Sequence, residues 1–284
     1  MTTLEDFAAS VRSTAAPGSN LSGSYVRALR FLTEMLRTCV PAYSHLPPVW
    51  EIRSLDLLDE LYNFVKQEER KGDKSALARA NVPKSYLKHR FCTNALKAFG
   101  RFVSTSQRDA KALDTFNSQG DAQTVARSMV QLPIAKPQFY INDDVPIASR
   151  VGRETLRQVK QRLNQNLFRK MVLLNYRTRC CVTGLPVPET LRASHILGWS
   201  ESEETRLLPT NGLCLSATYD AAFDRHLISF DEDYRMILSP SLHEYLCEES
   251  FCEIFKRYEG KKIQSAVRFP PSQEFLQRHR ELMK

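Results

Sequence analysis

The sequence predicts an α+β protein with an all-α N-terminal bundle and a C-terminal domain in which short strands are combined with flanking helices. Three observations support this. Apolar residues recur with the period of a helix through the first ~105 residues. The stretch after them is rich in Ser, Gln, Asp and Pro, and short β-like runs begin only beyond residue 190. We therefore place a helical bundle at 1–105, a linker with short helices at 106–150 and the mixed domain at 151–284.

Four amphipathic helices account for the predicted bundle. The first begins near Leu4, with Thr2 and Glu5 spaced as a capping box, and the third follows an N-cap at Ser54. The fourth follows Pro83. The expected core positions of the third helix are Leu57, Leu58, Leu61, Phe64 and Val65. Those of the fourth helix are Cys92, Ala95, Leu96, Phe99 and Val103.

The charge is basic and concentrated in two stretches. Forty Lys and Arg against 32 Asp and Glu give a net charge of +8. Residues 84–101 hold five basic residues and no acid, and residues 150–179 hold nine basic residues and one acid. Such stretches can bind DNA phosphates, although a solubilising helix surface explains one of them equally well. The candidates on the outer face of the fourth helix are Lys88, Arg90, Lys97 and Arg101.

Composition excludes several classes of protein. A hydrophobic content of 42% with 25% charged residues is typical of a globular chain, and no apolar run approaches the ~20 residues that span a bilayer. The N-terminus lacks the basic and apolar regions of a secretory signal. The seven cysteines form no C-x-x-C pair. We expect a cytoplasmic protein with no membrane association, no disulfide framework and no structural zinc.

The C-terminal domain begins with a long helix and continues with β-like runs. Between the second and third of these runs, Asp220 and Asp224 are four residues apart on a predicted helix, so both project from one face. Their carboxylates suit Mg²⁺ or Mn²⁺. His195 lies in the first run, and its imidazole titrates near neutral pH. The predicted elements are the helix 154–176, the runs 191–196, 213–215, 227–230 and 234–238, and a terminal helix after Pro270 and Pro271.

An ordered set of short motifs carries a family resemblance. The pieces are Cys180 to Gly184, Ala193 to Ile196, Asn211 to Leu215, Phe223-Asp224 and Leu227 to Phe230. Their order and spacing resemble the HNH endonuclease family, over about residues 165–284. The resemblance implies a ββα-metal fold and a metal-dependent nuclease that cuts or nicks DNA, leaving 5′-phosphate and 3′-hydroxyl ends.

The same resemblance implies roles for individual residues. His195 matches the general base, Asp220 matches the helix-borne metal ligand, and Asn211 matches the residue that ties the loop to the hairpin and so fixes the catalytic imidazole. Asp224 is a second ligand or an orienting group. Ser194 stands where relatives often carry a ligand, and its hydroxyl is a poor one.

Several further residues have either a functional or a purely structural interpretation. Arg192 and Arg225 are candidates for phosphate contacts, yet each can be an ordinary surface charge. His226 and His279 have no partner pattern in the sequence and are interpreted as structural, although relatives usually have Gly at the position of His226. The cysteines Cys180, Cys181 and Cys214 are interpreted as small core residues.

Ser24 to Leu29 and Asn94 to Phe102 loosely resemble the helical core-binding domain of tyrosine recombinases. That resemblance implies a DNA clamp, with a protein-interaction bundle as the alternative of equal weight. Restriction or anti-phage defence is the setting that the HNH resemblance implies, with DNA as partner; defence-system proteins and a homodimer are left open. Two rival functions are a non-catalytic DNA-binding protein that retains the HNH scaffold and a partner-controlled effector nuclease.

Overall fold

A computed structural model describes residues 4–118, 120–132, 136, 139–140, 149–198 and 204–283. The chain divides into two compact units, one formed by 1–110 with 133–160 and the other by 111–132 with 161–284. The units interleave along the chain. The domain boundaries that the sequence predicts, at 105 and 150, remain a prediction. The capping position proposed at Thr2 lies outside the described residues.

The first unit is helical. Its helices are α1 (Leu4–Thr14), α2 (Leu21–Cys39), α3 (Leu55–Arg70), α4 (Ser85–Lys88) and α5 (Phe91–Asn117), the last of which continues into the second unit. The first part of the linker predicted at 106–150 is therefore the end of α5. Across the described ranges, no helix has the length and apolarity needed to cross a membrane.

The expected cap and core of α3 and α5 are present. Ser54 Oγ accepts a hydrogen bond from the Leu57 amide at 3.3 Å, as an N-cap does. All five core positions predicted for the fourth helix are buried on α5, whereas two of the five predicted for α3 (Leu57 and Phe64) are only partly buried. Phe7 and Phe99 pack edge to face, with ring centroids 5.3 Å apart.

The fourth predicted helix is interrupted, which corrects the sequence-based interpretation. Arg90 adopts a left-handed backbone with φ of 56°, and the chain ends α4 at Lys88 and starts α5 at Phe91. An L-residue in this region cannot continue a right-handed helix, so the basic face of this segment is split in two. Lys88, Arg90 and Arg101 are exposed, and Lys97 is half-buried.

The second unit contains two small antiparallel sheets. In the first, β1 (Leu191–His195) pairs with β2 (Gly212–Ser216), with His195 opposite Gly212. In the second, β3 (Ile228–Phe230) pairs with β4 (Met236–Leu238), and Asp231 closes the turn by accepting the amides of Asp233 and Arg235. The helices of this unit are α6 (Ala122–Val130), α7 (Arg150–Asn175, which begins in the first unit), α8 (Ala217–Asp224), α9 (Glu249–Ile254) and α10 (Gln273–Arg280).

Close packing of α7 on the first sheet positions the site. A Cβ atom added at Gly212 would lie 2.4 Å from Val172 Cγ2 and 2.9 Å from Phe168 Cζ, so only glycine admits the helix at this distance. Phe168 and Val172 are buried in the core of the unit. As a result, the Phe168 ring lies directly beside the end of β1 that carries His195.

Candidate functional site

Most of the predicted site residues lie in one continuous part of the structure, formed by the first sheet and the helix that follows it. β1 ends at His195, Asn211 immediately precedes β2, and α8 begins directly after β2 and carries both aspartates. The order is strand, strand, helix, as expected from the motifs. His195 and Asn211 lie at the strand ends, and α8 follows β2 without a break, so the hairpin fixes the relative positions of these residues.

His195 is held by one aromatic ring and one carbonyl. Its imidazole stacks on Phe168 with centroids 3.7 Å apart and planes at 12°, and its Nε2 lies 3.1 Å from the Arg206 carbonyl oxygen. A carbonyl can only accept, so Nε2 carries the proton and the neutral ring has its lone pair on Nδ1. Burial lowers the pKa of His195, opposed by the hydrogen bond to Arg206. The imidazole is therefore held mainly neutral at physiological pH.

Asn211 joins both ends of the loop between β1 and β2. Its buried Oδ1 accepts from the Leu197 amide at 2.8 Å, and its Nδ2 donates to the carbonyls of Leu197 (3.2 Å) and Thr205 (3.1 Å). Its own carbonyl accepts from the Ile196 amide. Thr205 directly precedes Arg206, whose carbonyl holds His195. The amide therefore braces the segment that orients the imidazole.

Ser194 and Asp220 form a direct contact on the side of β1 that faces α8. The buried Ser194 hydroxyl donates to Asp220 Oδ1. Asp224 follows one helical turn later, and desolvation followed by the negative charge of Asp220 raises its pKa. A cation would offset the repulsion between two carboxylates on one helix face.

A cleft of about 340 Å³ opens beside the hairpin. His195 and Asp224 line it. It is also lined by His226, which follows α8, by Arg278 on α10 and by Glu281 just after α10. Asp220 does not line this cleft. The structure thus brings His195 and Asp224 to a shared cavity and connects Asp220 to the hairpin through Ser194.

The histidines after α8 and on α10 are part of the cleft, which sequence reasoning missed. His226 has a left-handed backbone with φ of 58°, a conformation that glycine adopts most readily. Its Nδ1 lies 3.1 Å from Nε2 of His279. His279 is 2% exposed, stacks on Phe223 at 3.8 Å and contacts Ser229 Oγ at 3.0 Å. Burial lowers the pKa of His279 to about 4. The one sequence signal for this part of the cleft was that His226 stands where the HNH resemblance leads one to expect glycine.

The proposed DNA-contacting residues lie at the surface, some of them already engaged. Arg225 donates to the Ala221 carbonyl at 2.9 Å, and Arg192 lies 3.3 Å from the Leu191 carbonyl. Arg101 donates to the Phe139 carbonyl at 2.9 and 3.2 Å and lies over the Tyr140 ring. Part of the hydrogen-bonding capacity of each arginine is therefore used within its own unit.

The donor set fits a hard divalent cation with few protein ligands. Within the part of the chain that the structure describes, no group of three or more His, Cys, Asp or Glu side chains is arranged to hold a metal. The available donors are the carboxylates of Asp220 and Asp224 and the Ser194 hydroxyl, all oxygen. Such a set leaves coordination positions for water and phosphate.

The cysteines near the hairpin lie in the hydrophobic core. Cys180, Cys181 and Cys214 are fully buried. Burial raises the pKa of the Cys214 thiol to about 12 and that of Cys181 well above its usual value. Thiols of this kind stay protonated, and they pack as small apolar groups.

Comparison with known proteins agrees with the motifs. Residues 180–231 match a family model described as HNH endonuclease, a span that contains β1, β2, α8 and β3. A search of curated proteins finds no match to the chain, and the recombinase-like interpretation of the N-terminal helices gains no support. HNH nucleases generally use divalent metal ions. The segment 180–231, in the second unit of this chain, thus matches the HNH endonuclease family that its motifs resemble.

Proposed function

We propose that this protein is a metal-dependent HNH endonuclease that hydrolyses phosphodiester bonds of DNA, with His195 as the general base. The observation that supports this most directly is the placement of the His195 imidazole and the Asp224 carboxylate on one cleft, with the imidazole fixed through Nε2 on the Arg206 carbonyl. A base held in this way can take a proton without reorienting.

The proton chemistry follows from the tautomer. With Nε2–H donated to Arg206, Nδ1 of His195 accepts the proton of the attacking water. The lowered pKa keeps the ring neutral before the reaction, so the base is available at physiological pH. The stack on Phe168 limits rotation of the ring. Asn211 acts through the loop backbone, by keeping the Arg206 carbonyl in place.

Asp220, Asp224 and the Ser194 hydroxyl are the residues that would hold Mg²⁺ or Mn²⁺. Bound there, the cation would stabilise negative charge on the phosphorane and on the leaving oxygen. Ser194 has a second role that needs no coordination, because its hydroxyl donates to Asp220 and so orients that carboxylate.

The remaining assignments concern substrate and setting. Arg192 and Arg225 flank the hairpin and α8 and would contact phosphates near the cleft. In the first unit Lys88, Arg90, Lys97 and Arg101 would add contacts that do not depend on sequence. Cleavage would leave 5′-phosphate and 3′-hydroxyl ends, and restriction or anti-phage defence in the cytoplasm is the proposed setting.

The test is incubation of supercoiled plasmid with the full chain and Mg²⁺, Mn²⁺, Ca²⁺ or Zn²⁺ in turn, with a chelator as blank. Nicked or linear DNA in Mg²⁺ or Mn²⁺ is the expected result, and intact plasmid under every cation contradicts the proposal. Asp220→Ala should lose cleavage and keep most DNA affinity, because its charge serves the transition state more than docking. Asp233→Ala, an exposed carboxylate in the β3–β4 turn, is the matched control.

A second candidate function is DNA binding without cleavage. It is favoured by Ser194, which stands where a metal ligand is common in relatives and is buried against Asp220 instead. In that case the plasmid binds the protein, stays supercoiled under every cation, and Asp220→Ala changes nothing but stability.

A further inference from the structure

We infer that Arg278, on the C-terminal helix α10, binds the phosphate group of the DNA that enters the His195 cleft. This inference rests on the proposed function and adds a substrate-binding residue from outside the segment 180–231. Arg278 lines the same cleft as His195 and Asp224.

The backbone of α10 is fixed at both ends, so the position of Arg278 is determined by the fold. At the start of the helix, the Ser272 amide donates to the Thr210 carbonyl at 2.9 Å, next to Asn211, and Ser272 Oγ caps the Phe275 amide. Near its end, Leu276 is fully buried and His279 is bonded to Ser229 and to the Phe223 carbonyl. The helix thus connects the Asn211 turn with the second sheet.

Two arginines on α10 have different surroundings. Arg280 donates to the Phe230 carbonyl at 2.8 Å and pairs with Glu232, so its guanidinium secures the helix to the β3–β4 hairpin. Arg278 is exposed and is one of the residues that line the cleft. Arg280 therefore has its place at the hairpin, and Arg278 adds a positive charge to the lining that contains the candidate base.

The charge in the cleft explains why an arginine is needed there. Asp224 and Glu281 both line the cavity and repel a phosphodiester. A guanidinium offers a planar pair of donors that matches two phosphate oxygens, and it stays charged at every working pH. The pentavalent transition state carries more negative charge than the substrate, so the same contact becomes stronger as the reaction proceeds.

The experiment compares Arg278→Ala, Arg278→Lys and the control Arg257→Ala in the full chain. Arg257 is exposed, lies in the second unit and stacks near the Tyr258 ring away from the cleft lining. Binding of a DNA duplex is measured in chelator over a range of salt concentrations, and cleavage is measured in Mg²⁺ under single-turnover conditions. Thermal unfolding verifies that each variant is folded.

We expect Arg278→Ala to reduce the slope of log affinity against log salt by about one, and cleavage by on the order of 100-fold, with partial recovery in Arg278→Lys. Arg257→Ala should match the wild type in cleavage. An unchanged salt slope in Arg278→Ala overturns the inference, whatever its cleavage rate. If the wild type does not cleave but the slope still falls, the phosphate contact stands and the proposed nuclease function fails.

Discussion

Two histidines in the second unit have nearly the same immediate surroundings and different consequences. His195 stacks on Phe168 at 3.7 Å and 12°, and His279 stacks on Phe223 at 3.8 Å and 5°. Each Nε2 lies within hydrogen-bonding distance of a backbone carbonyl, at 3.1 and 3.0 Å. Burial lowers the pKa of both. An aromatic stack and a carbonyl partner therefore do not identify a catalytic imidazole.

The difference lies in how far each side chain is exposed to solvent. Nδ1 of His279 meets the Ser229 hydroxyl at 3.0 Å, and the residue is 2% exposed. His195 is half-buried and lies at the end of a strand, where its ring borders the cleft. A general base must give a substrate water access to a lone pair. We therefore propose that His195 is the general base and that His279 holds α10 in place.

The largest expected effect follows from that assignment. His195→Ala should lower the cleavage rate by on the order of 10² to 10⁴, because it removes the general base. The thermal midpoint should fall less than in His279→Ala, because His195 is half-buried and His279 is 2% exposed. The comparison variant is His279→Ala, which should lose stability while the fraction that remains folded still cleaves. Equal loss of cleavage per folded molecule in both variants would show that the assignment to His195 is wrong.

The next effect concerns how the free energy of unfolding depends on pH. Since folding lowers the pKa of His279 from 6.5 to about 4, the unfolded chain binds the proton more tightly. The stabilising contribution of neutral His279 is complete above pH 6.5 and is lost as the pH falls from 6.5 to about 4. For a pKa shift of this size the loss is about 3 kcal/mol in the free energy of unfolding. Urea unfolding at pH 7, 5.5 and 4.5 measures this loss. His279→Gln should flatten the dependence, and an unchanged dependence would contradict the prediction.

A substitution next to His195 should reduce the free energy of unfolding slightly less. Gly212→Ala places a methyl group against Val172 and Phe168, which destabilises the protein by about 1–3 kcal/mol as overpacking does. It should also slow cleavage, since Phe168 supports the His195 ring. Gly120→Ala is the control, because its nearest neighbour would be 3.7 Å away. Similar unfolding midpoints for the two alanine variants would argue against the close approach of α7.

The smallest effect concerns the polar partner of His279. Ser229→Ala removes the hydroxyl that donates to Nδ1 and should cost about 1 kcal/mol in the free energy of unfolding. Cleavage should stay near the wild-type rate. Chemical denaturation of this variant beside Ser265→Ala, an exposed serine, measures the difference. A loss of cleavage without a loss of stability would instead connect this contact with catalysis.

Local patterns in the sequence predicted a large part of the second unit. The strand with His195, the turn at Asn211 and the helix with Asp220 and Asp224 lie where the motifs place them. The Ser54 cap and the buried positions of α5 also follow from short-range periodicity. The break at Arg90 was missed, because nothing in residue type marks an arginine that adopts a left-handed backbone.

By itself the sequence determined which candidate groups lie on which strand or helix and how far apart they are along it, since those distances are set by hydrogen bonds between near neighbours. Only the tertiary structure decided that Phe168 supports His195, that Asp224 shares the cleft while Asp220 binds Ser194, and that α10 contributes Arg278. These contacts join residues far apart in the chain, and side-chain packing, which no local pattern encodes, selects them.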